Sequence, residues 1–64
     1  MEWKRYVARD KSGALYSFAD KPQRAHNYWY GCWPIRLNDS LIPQLTWDDE
    51  PVEMNRDLYD KLKG

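Results

Sequence analysis

Side chains alternate through Arg5-Tyr6-Val7-Ala8-Arg9 and again through Leu15-Tyr16-Ser17-Phe18, with Asp10-Lys11-Ser12-Gly13 between the two runs. Alternation is the signature of a strand. The intervening tetrapeptide has the chemistry of a type I turn, with Asp first and Gly fourth, where positive φ is tolerated. The pattern therefore predicts a β-hairpin with a three-residue loop and a G1 bulge. That loop sets the register: Asp10 opposite Ala14, Arg9 opposite Leu15, Ala8 opposite Tyr16, Val7 opposite Ser17 and Tyr6 opposite Phe18. One face then carries Tyr6, Ala8, Tyr16 and Phe18. The other carries Arg5, Val7, Arg9, Leu15 and Ser17. A slip by one residue would scatter the aromatic set over both faces. The aromatic face is expected to be core, and the mixed basic face to be the surface on which function would sit.

Beyond the hairpin the pattern is more broken. Residues 19–27 read as a polar connection, in which Pro22 forbids a continued central strand. Tyr28 to Leu37 reads as a third strand interrupted near Gly31, with Pro34 placing it at an edge. Asn38-Asp39-Ser40 is a turn cluster. Residues 41–45 read as at most a single helical turn, because Pro43 biases Ile42 away from the right-handed helical region. Pro51-Val52-Glu53-Met54 alternates and predicts a short last strand. Asn55 is a fair N-cap for a C-terminal helix, with Asp57 in its first turn and Lys61 and Lys63 in its last. Its apolar stripe is Leu58, Tyr59 and Leu62, and Asp57 and Lys61 form an i,i+4 pair.

The elements add up to one α+β domain over residues 1–64. It has a small antiparallel β-sheet of three to four strands, led by the N-terminal hairpin, and a short C-terminal helix. An all-β, barrel-like arrangement is the alternative. The expected core is Tyr6, Ala8, Tyr16, Phe18, Trp33, Ile35, Leu37, Leu41, Leu45, Trp47, Leu58 and Leu62.

Composition sharpens this picture. With 64 residues the chain has little core to build, yet it holds four Trp, five Tyr and one Phe. Each such ring can bury roughly 150–250 Å². Mean hydropathy is −0.97, so a small aromatic core inside a charged shell is expected. The net charge is zero but unevenly spread. Residues 1–36 hold seven Lys/Arg against three acids, and residues 37–64 hold three against seven. The halves thus carry +4 and −4. They either neutralise each other by packing together or leave a two-faced surface that can steer a charged partner.

One cysteine, Cys32, excludes an intramolecular disulfide and points to a reducing compartment. No apolar run approaches the ~20 residues that span a bilayer. Met1-Glu2-Trp3-Lys4-Arg5 leads into no apolar h-region, so no signal peptide is expected. The expected compartment is the cytoplasm, with no membrane partner.

The chemistry-bearing residues are few. His26 and Cys32 are formally a nucleophile–base pair, but neither has an evident orienting third group. No enzymatic activity and no catalytic residue are expected. Metal-ligand spacings of the Cys-x-x-Cys, His-x-x-x-His or EF-hand kind are missing, and Asp48-Asp49-Glu50 reads as a solvated turn. No metal or cofactor is expected.

Two stretches carry a resemblance. Tyr6-Val7-Ala8-Arg9-Asp10-Lys11-Ser12-Gly13-Ala14-Leu15-Tyr16, followed by Lys21-Pro22, resembles the start of short uncharacterised proteins encoded by bacteriophages and prophages. Leu41-Ile42-Pro43-Gln44-Leu45-Thr46-Trp47-Asp48-Asp49-Glu50-Pro51 resembles their second common stretch. Together these cover about a third of the chain. The resemblance implies a small phage-type accessory protein in the host cytoplasm and brings no site residues with it.

The expected function is a protein-interaction module that binds and modulates a partner, a host protein if the resemblance holds. Trp and Tyr are the residues enriched at binding hot spots, and an open sheet offers edges to a partner strand. The expected binding residues are Trp3, Arg5, Arg9, Tyr28, Trp29 and Arg36. The alternative is a single-stranded nucleic-acid-binding module, in which Arg5, Arg9, Lys11, Arg24 and Arg36 form a basic stripe along the backbone and Tyr28, Trp29, Tyr30 and Trp33, nearby in sequence, stack on bases. A homodimer through a free sheet edge is a further option.

Overall fold

The computed structural model describes residues 4–63, and the side chains of residues 4–61. Strands β1 (Arg5–Arg9) and β2 (Leu15–Phe18) form the hairpin. Short strands β3 (Gln23–Arg24) and β4 (Trp29–Tyr30) pair with each other. Strands β5 (Ile35–Leu37) and β6 (Val52–Met54) precede helix α1 (Arg56–Lys63). The main sheet has the order β5-β2-β1-β6 and is antiparallel throughout. The fold is α+β. Strands β5 and β6 stand at opposite edges, so the sheet is open and the barrel-like alternative falls away.

The hairpin has the register its loop dictates: Tyr6 pairs with Phe18, Val7 with Ser17, Ala8 with Tyr16 and Arg9 with Leu15. The Gly13 N–H donates to Asp10 O at 2.9 Å, and the Asp10 N–H donates to Ala14 O at 2.8 Å. Gly13 sits at φ 100°, a conformation that a side chain would strain.

Both faces of this hairpin are covered. On the Tyr6 face, Ala8 and Phe18 are buried with Trp29, and Tyr16 and Trp47 pack against them. On the opposite face, Val7 and Leu15 are fully buried with Leu37, Leu45, Met54 and Tyr59, and Leu41 and Ile42 pack alongside. The larger cluster therefore lies on the face expected to be surface. That expectation is corrected, and the reason is where its arginines go.

Arg9 directs all five guanidinium N–H donors at backbone carbonyls. Its Nε donates to Leu45 O, its Nη1 to Gly13 O and Asp39 O, and its Nη2 to Leu41 O and Ile42 O. Arg5, two places along the same face from Val7, donates from Nε to Ser17 Oγ at 3.0 Å and from Nη2 to the carbonyls of Ser17 and Trp33. Its guanidinium also lies 5.7 Å from the Tyr59 ring centre. Ser17, a fully buried hydroxyl, is thereby satisfied. Charge on this face is turned inward, and the chain that supplies the carbonyls covers the sheet.

Residues 38–49 make three successive turns, closed by Leu41 N–H to Asn38 O, Leu45 N–H to Ile42 O and Asp49 N–H to Thr46 O. They replace the expected helical turn at 41–45. Ile42 takes φ 48° and Trp33 takes φ 53°. Both precede proline, and a left-handed bulky residue costs about 1–3 kcal/mol. Each of these two residues offers its carbonyl to an arginine of β1.

At the C-terminus, Asn55 caps α1, its Oδ1 accepting from Leu58 N at 2.9 Å. The i,i+4 ion pair is Arg56–Asp60 at 3.9 Å rather than the expected Asp57–Lys61. Tyr59 is buried and docks the helix, whereas Leu58 is exposed. Leu62's side chain lies outside the described residues. Trp33 and Ile35 are likewise exposed rather than core. The alternation of the third strand does not carry past Gly31, because the chain leaves the β3–β4 ribbon there and joins the main sheet at β5.

Arg9→Met should remove five charge-assisted hydrogen bonds and cost about 3–5 kcal/mol. The whole domain has roughly 3–10 kcal/mol at its size, so this variant should lose at least about a third of its stability and its urea midpoint should fall accordingly. Arg9→Lys keeps the charge without the planar fork and should recover less than half of the loss. A urea midpoint for Arg9→Met within experimental error of the parent would refute the role given to this guanidinium.

Candidate functional site

Glycine 31 sets up the most distinctive surface. A Cβ there would lie 3.2 Å from Phe18 Cδ2 and 3.2 Å from Pro22 Cα, so any side chain would have to push these neighbours back by a few tenths of an ångström. The close approach places β4 over the Tyr6 face. Asp10 Oδ1 accepts from Trp29 N at 2.9 Å, and Ala19 N donates to Cys32 O at 2.8 Å, tying both ends of the segment to the hairpin. Between them lies an open cleft of about 290 Å³ lined by Asp10, Tyr16, Phe18, Tyr28, Trp29, Tyr30, Gly31 and Pro34.

Its aromatic residues divide into two sets. Trp29 is only 5% exposed and belongs to the core. The Arg24 guanidinium lies 4.4 Å from its ring centre and 4.6 Å from that of Trp47, and donates to Trp47 O at 2.6 Å. The two indoles meet edge to face at 5.9 Å. Tyr28, Tyr30 and Trp33 point the other way, at 47%, 59% and 77% exposure. Tyr30 follows Trp29 in β4 and so faces the other side, Tyr28 lies in the bend before the strand, and Trp33 takes φ 53°.

The expected binding residues are thus separated. Arg5 and Arg9 hold the fold from within. Trp29 is corrected to core, because the short β3–β4 ribbon can close over the hairpin only by burying it. Tyr28 is at the surface beside the cleft. Arg36 is exposed and lies 5.6 Å from the Tyr16 ring, but a bidentate pair with Asp39 occupies it. Asp39 also accepts from Leu15 N at 3.2 Å. Arg36 first, and this amide second, hold the Asp39 carboxyl below its ordinary range. Trp3 lies outside the described residues. Tyr30 and Trp33 are exposed with Tyr28; the sequence offers both only as aromatics of the nucleic-acid alternative, and it also places Trp33 in the core, because the break formed by Gly31 and Pro34 resets the alternation between them.

The Asp20 carboxylate accepts a hydrogen bond from the Cys32 thiol and repels its thiolate, so the thiol titrates above its ordinary value. A nucleophilic cysteine needs the opposite shift. Among the described residues no group of three or more His, Cys, Asp or Glu is placed to hold a metal ion. No helix there is long and apolar enough to cross a membrane.

Compared with known proteins, the chain matches no family model, no curated protein and no solved structure.

Trp29→Ala should cost about 3–5 kcal/mol and unfold the domain. Trp29→Phe should cost under about 1.5 kcal/mol, because it also removes an indole N–H that is buried with no hydrogen-bond partner. Trp33→Ala should leave the urea midpoint unchanged. Equal losses from Trp29→Ala and Trp33→Ala would contradict this division of the rings. Separately, Cys32 should react slowly with iodoacetamide near neutral pH, and Asp20→Asn should speed the reaction by lowering the thiol pKa. An unchanged rate would show that Asp20 does not control the thiol.

Proposed function

We propose that the chain is a non-enzymatic protein-interaction module whose contact surface is the exposed aromatic segment of Tyr28, Tyr30 and Trp33, the first two of which line the cleft. The exposure of three large rings on one short segment carries this reading. Such rings bury large areas with few rotatable bonds, which is why they dominate interface energetics. Tyr hydroxyls at the rim add hydrogen bonds, and Asp10 in the cleft wall favours a donor or a cation from the partner. The resemblance to short phage-encoded proteins makes a host protein in the host cytoplasm the expected partner.

The single-stranded nucleic-acid reading has the same rings in its favour and the cations against it. Arg5 and Arg9 donate to carbonyls, Arg24 stacks on Trp29 and Trp47, and Arg36 is paired with Asp39. Of the basic groups near the hairpin, Lys11 and Lys21 are exposed with no ion pair among the described residues. A net charge of zero does not supply the phosphate-neutralising term on which such binding rests.

Tyr28→Ala, Tyr30→Ala and Trp33→Ala should each weaken retention of the partner from host lysate by roughly tenfold while circular dichroism stays unchanged. Addition of single-stranded DNA at low salt should leave Trp33 fluorescence unaltered. Quenching by DNA that is abolished by Trp33→Ala and by added salt would instead support the nucleic-acid reading.

A further inference from the structure

The exposed apolar side chains fall at opposite edges of the sheet. Tyr28, Tyr30, Trp33 and Ile35 lie towards β5, and Val52 and Leu58 lie at β6. The second set belongs to a separate groove of about 560 Å³ between the turns of residues 42–50, strand β6 and helix α1. Ile42, Leu45, Val52 and Leu58 supply its apolar lining, and Asp49 and Glu50 supply carboxylates.

Carboxylates outnumber cations around this groove. From Asp48 to Asp60 the chain carries six acids and a single base, Arg56. All six acids are exposed. Lys4 pairs with Glu53 at 3.6 Å and Arg56 with Asp60 at 3.9 Å. Asp49 Oδ2 is committed to the Thr46 N–H at 2.8 Å, as one more cap of the turn. Asp48, Glu50 and Asp57 make no ion pair among the described residues, and no Lys or Arg there lines the groove. Arg9 lies behind the groove floor, with its guanidinium bonded to the carbonyls of Ile42 and Leu45, and forms no ion pair with these acids among the described residues.

An apolar floor repels a purely ionic ligand, and a carboxylate-rich rim repels an apolar ligand that brings no cation. A segment with an apolar face flanked by Lys or Arg satisfies both. It would bury Val52 and Leu58 and bring its cations beside Glu50, Asp48 and Asp57, where a partly desolvated pair is worth more than a pair in water. We infer that the groove between β6 and α1 is a second docking site, and that its occupant is a basic amphipathic segment of a partner protein. This inference does not depend on the aromatic segment.

The test uses a fluorescently labelled Leu/Lys peptide with helical periodicity and its Leu/Glu counterpart, each titrated with the full chain and followed by anisotropy. The Leu/Lys peptide should bind, and its affinity should fall about tenfold from low to high salt. The Leu/Glu peptide should not bind. Leu58→Ala and Glu50→Gln lie on an exposed helix face and an exposed turn, and each should weaken binding about five- to tenfold with an unchanged urea midpoint. Trp33→Ala, at the other edge, should not alter it. Equal binding of both peptides, or binding lost with Trp33→Ala and kept with Leu58→Ala, would overturn the assignment. So would light scattering that showed a dimer dissociated by Leu58→Ala, since a second copy would then be the occupant.

Discussion

One guanidinium organises this domain. Arg9 leaves the hairpin with all five donors spent on carbonyls of Gly13, Asp39, Leu41, Ile42 and Leu45. A segment of turns has no ladder partner for its carbonyls, and burying them unpaired would cost about 1–3 kcal/mol each. Arg9 supplies the donors that a strand would otherwise supply. It does so from a rigid planar fork, at low entropic cost per bond. Residues 38–45 can therefore lie against Val7 and Leu15 without being regular structure. Arg5 repeats the device on a smaller scale with Ser17 and Trp33. In both cases the arginine holds the carbonyl of a left-handed residue that precedes proline. The strain at Ile42 and Trp33 is thus offset by the same charged bonds that fix the loops.

This arrangement lets a 64-residue chain bury its hairpin on both faces without a second full sheet. On one side the cover is three turns and a helix. On the other it is a two-stranded ribbon and one tryptophan from the turn segment. Sandwiching uses up the faces of the sheet, so the surface left for contact is at its edges. The aromatic cleft lies towards the β5 side and the acid-rimmed groove lies at β6.

The charge distribution follows from the same cause. The basic half of the chain does not simply neutralise the acidic half. Arg5, Arg9 and Arg24 are spent on carbonyls, a hydroxyl and aromatic rings. The ion pairs recorded between the two halves are Lys4–Glu53 and Arg36–Asp39, and both are exposed. A surface pair of this kind contributes about 0–1 kcal/mol. Cations turned inward and carboxylates left outside give a chain of zero net charge an acidic surface at β6.

Local signals in the sequence determined the elements. Turn chemistry at Asp10–Gly13 set the hairpin register to the residue, because a three-residue loop leaves only one pairing. Asn55 marked the start of α1 through its side-chain cap. Pro51–Met54 announced β6 by alternation alone. Tertiary structure decided which face of the hairpin is core, and with it the site. Arg5 and Arg9 read as solvent-facing because charge is costly to bury. Only the folded chain shows the carbonyls, 4 to 36 positions away, that remove this cost. Trp29 and Trp33 are likewise indistinguishable by residue type and by their place in an aromatic stretch. One is buried and the other exposed, with the chain leaving the β3–β4 ribbon at Gly31 and turning left-handed at Trp33 between them, a change of backbone path that side-chain periodicity cannot carry across.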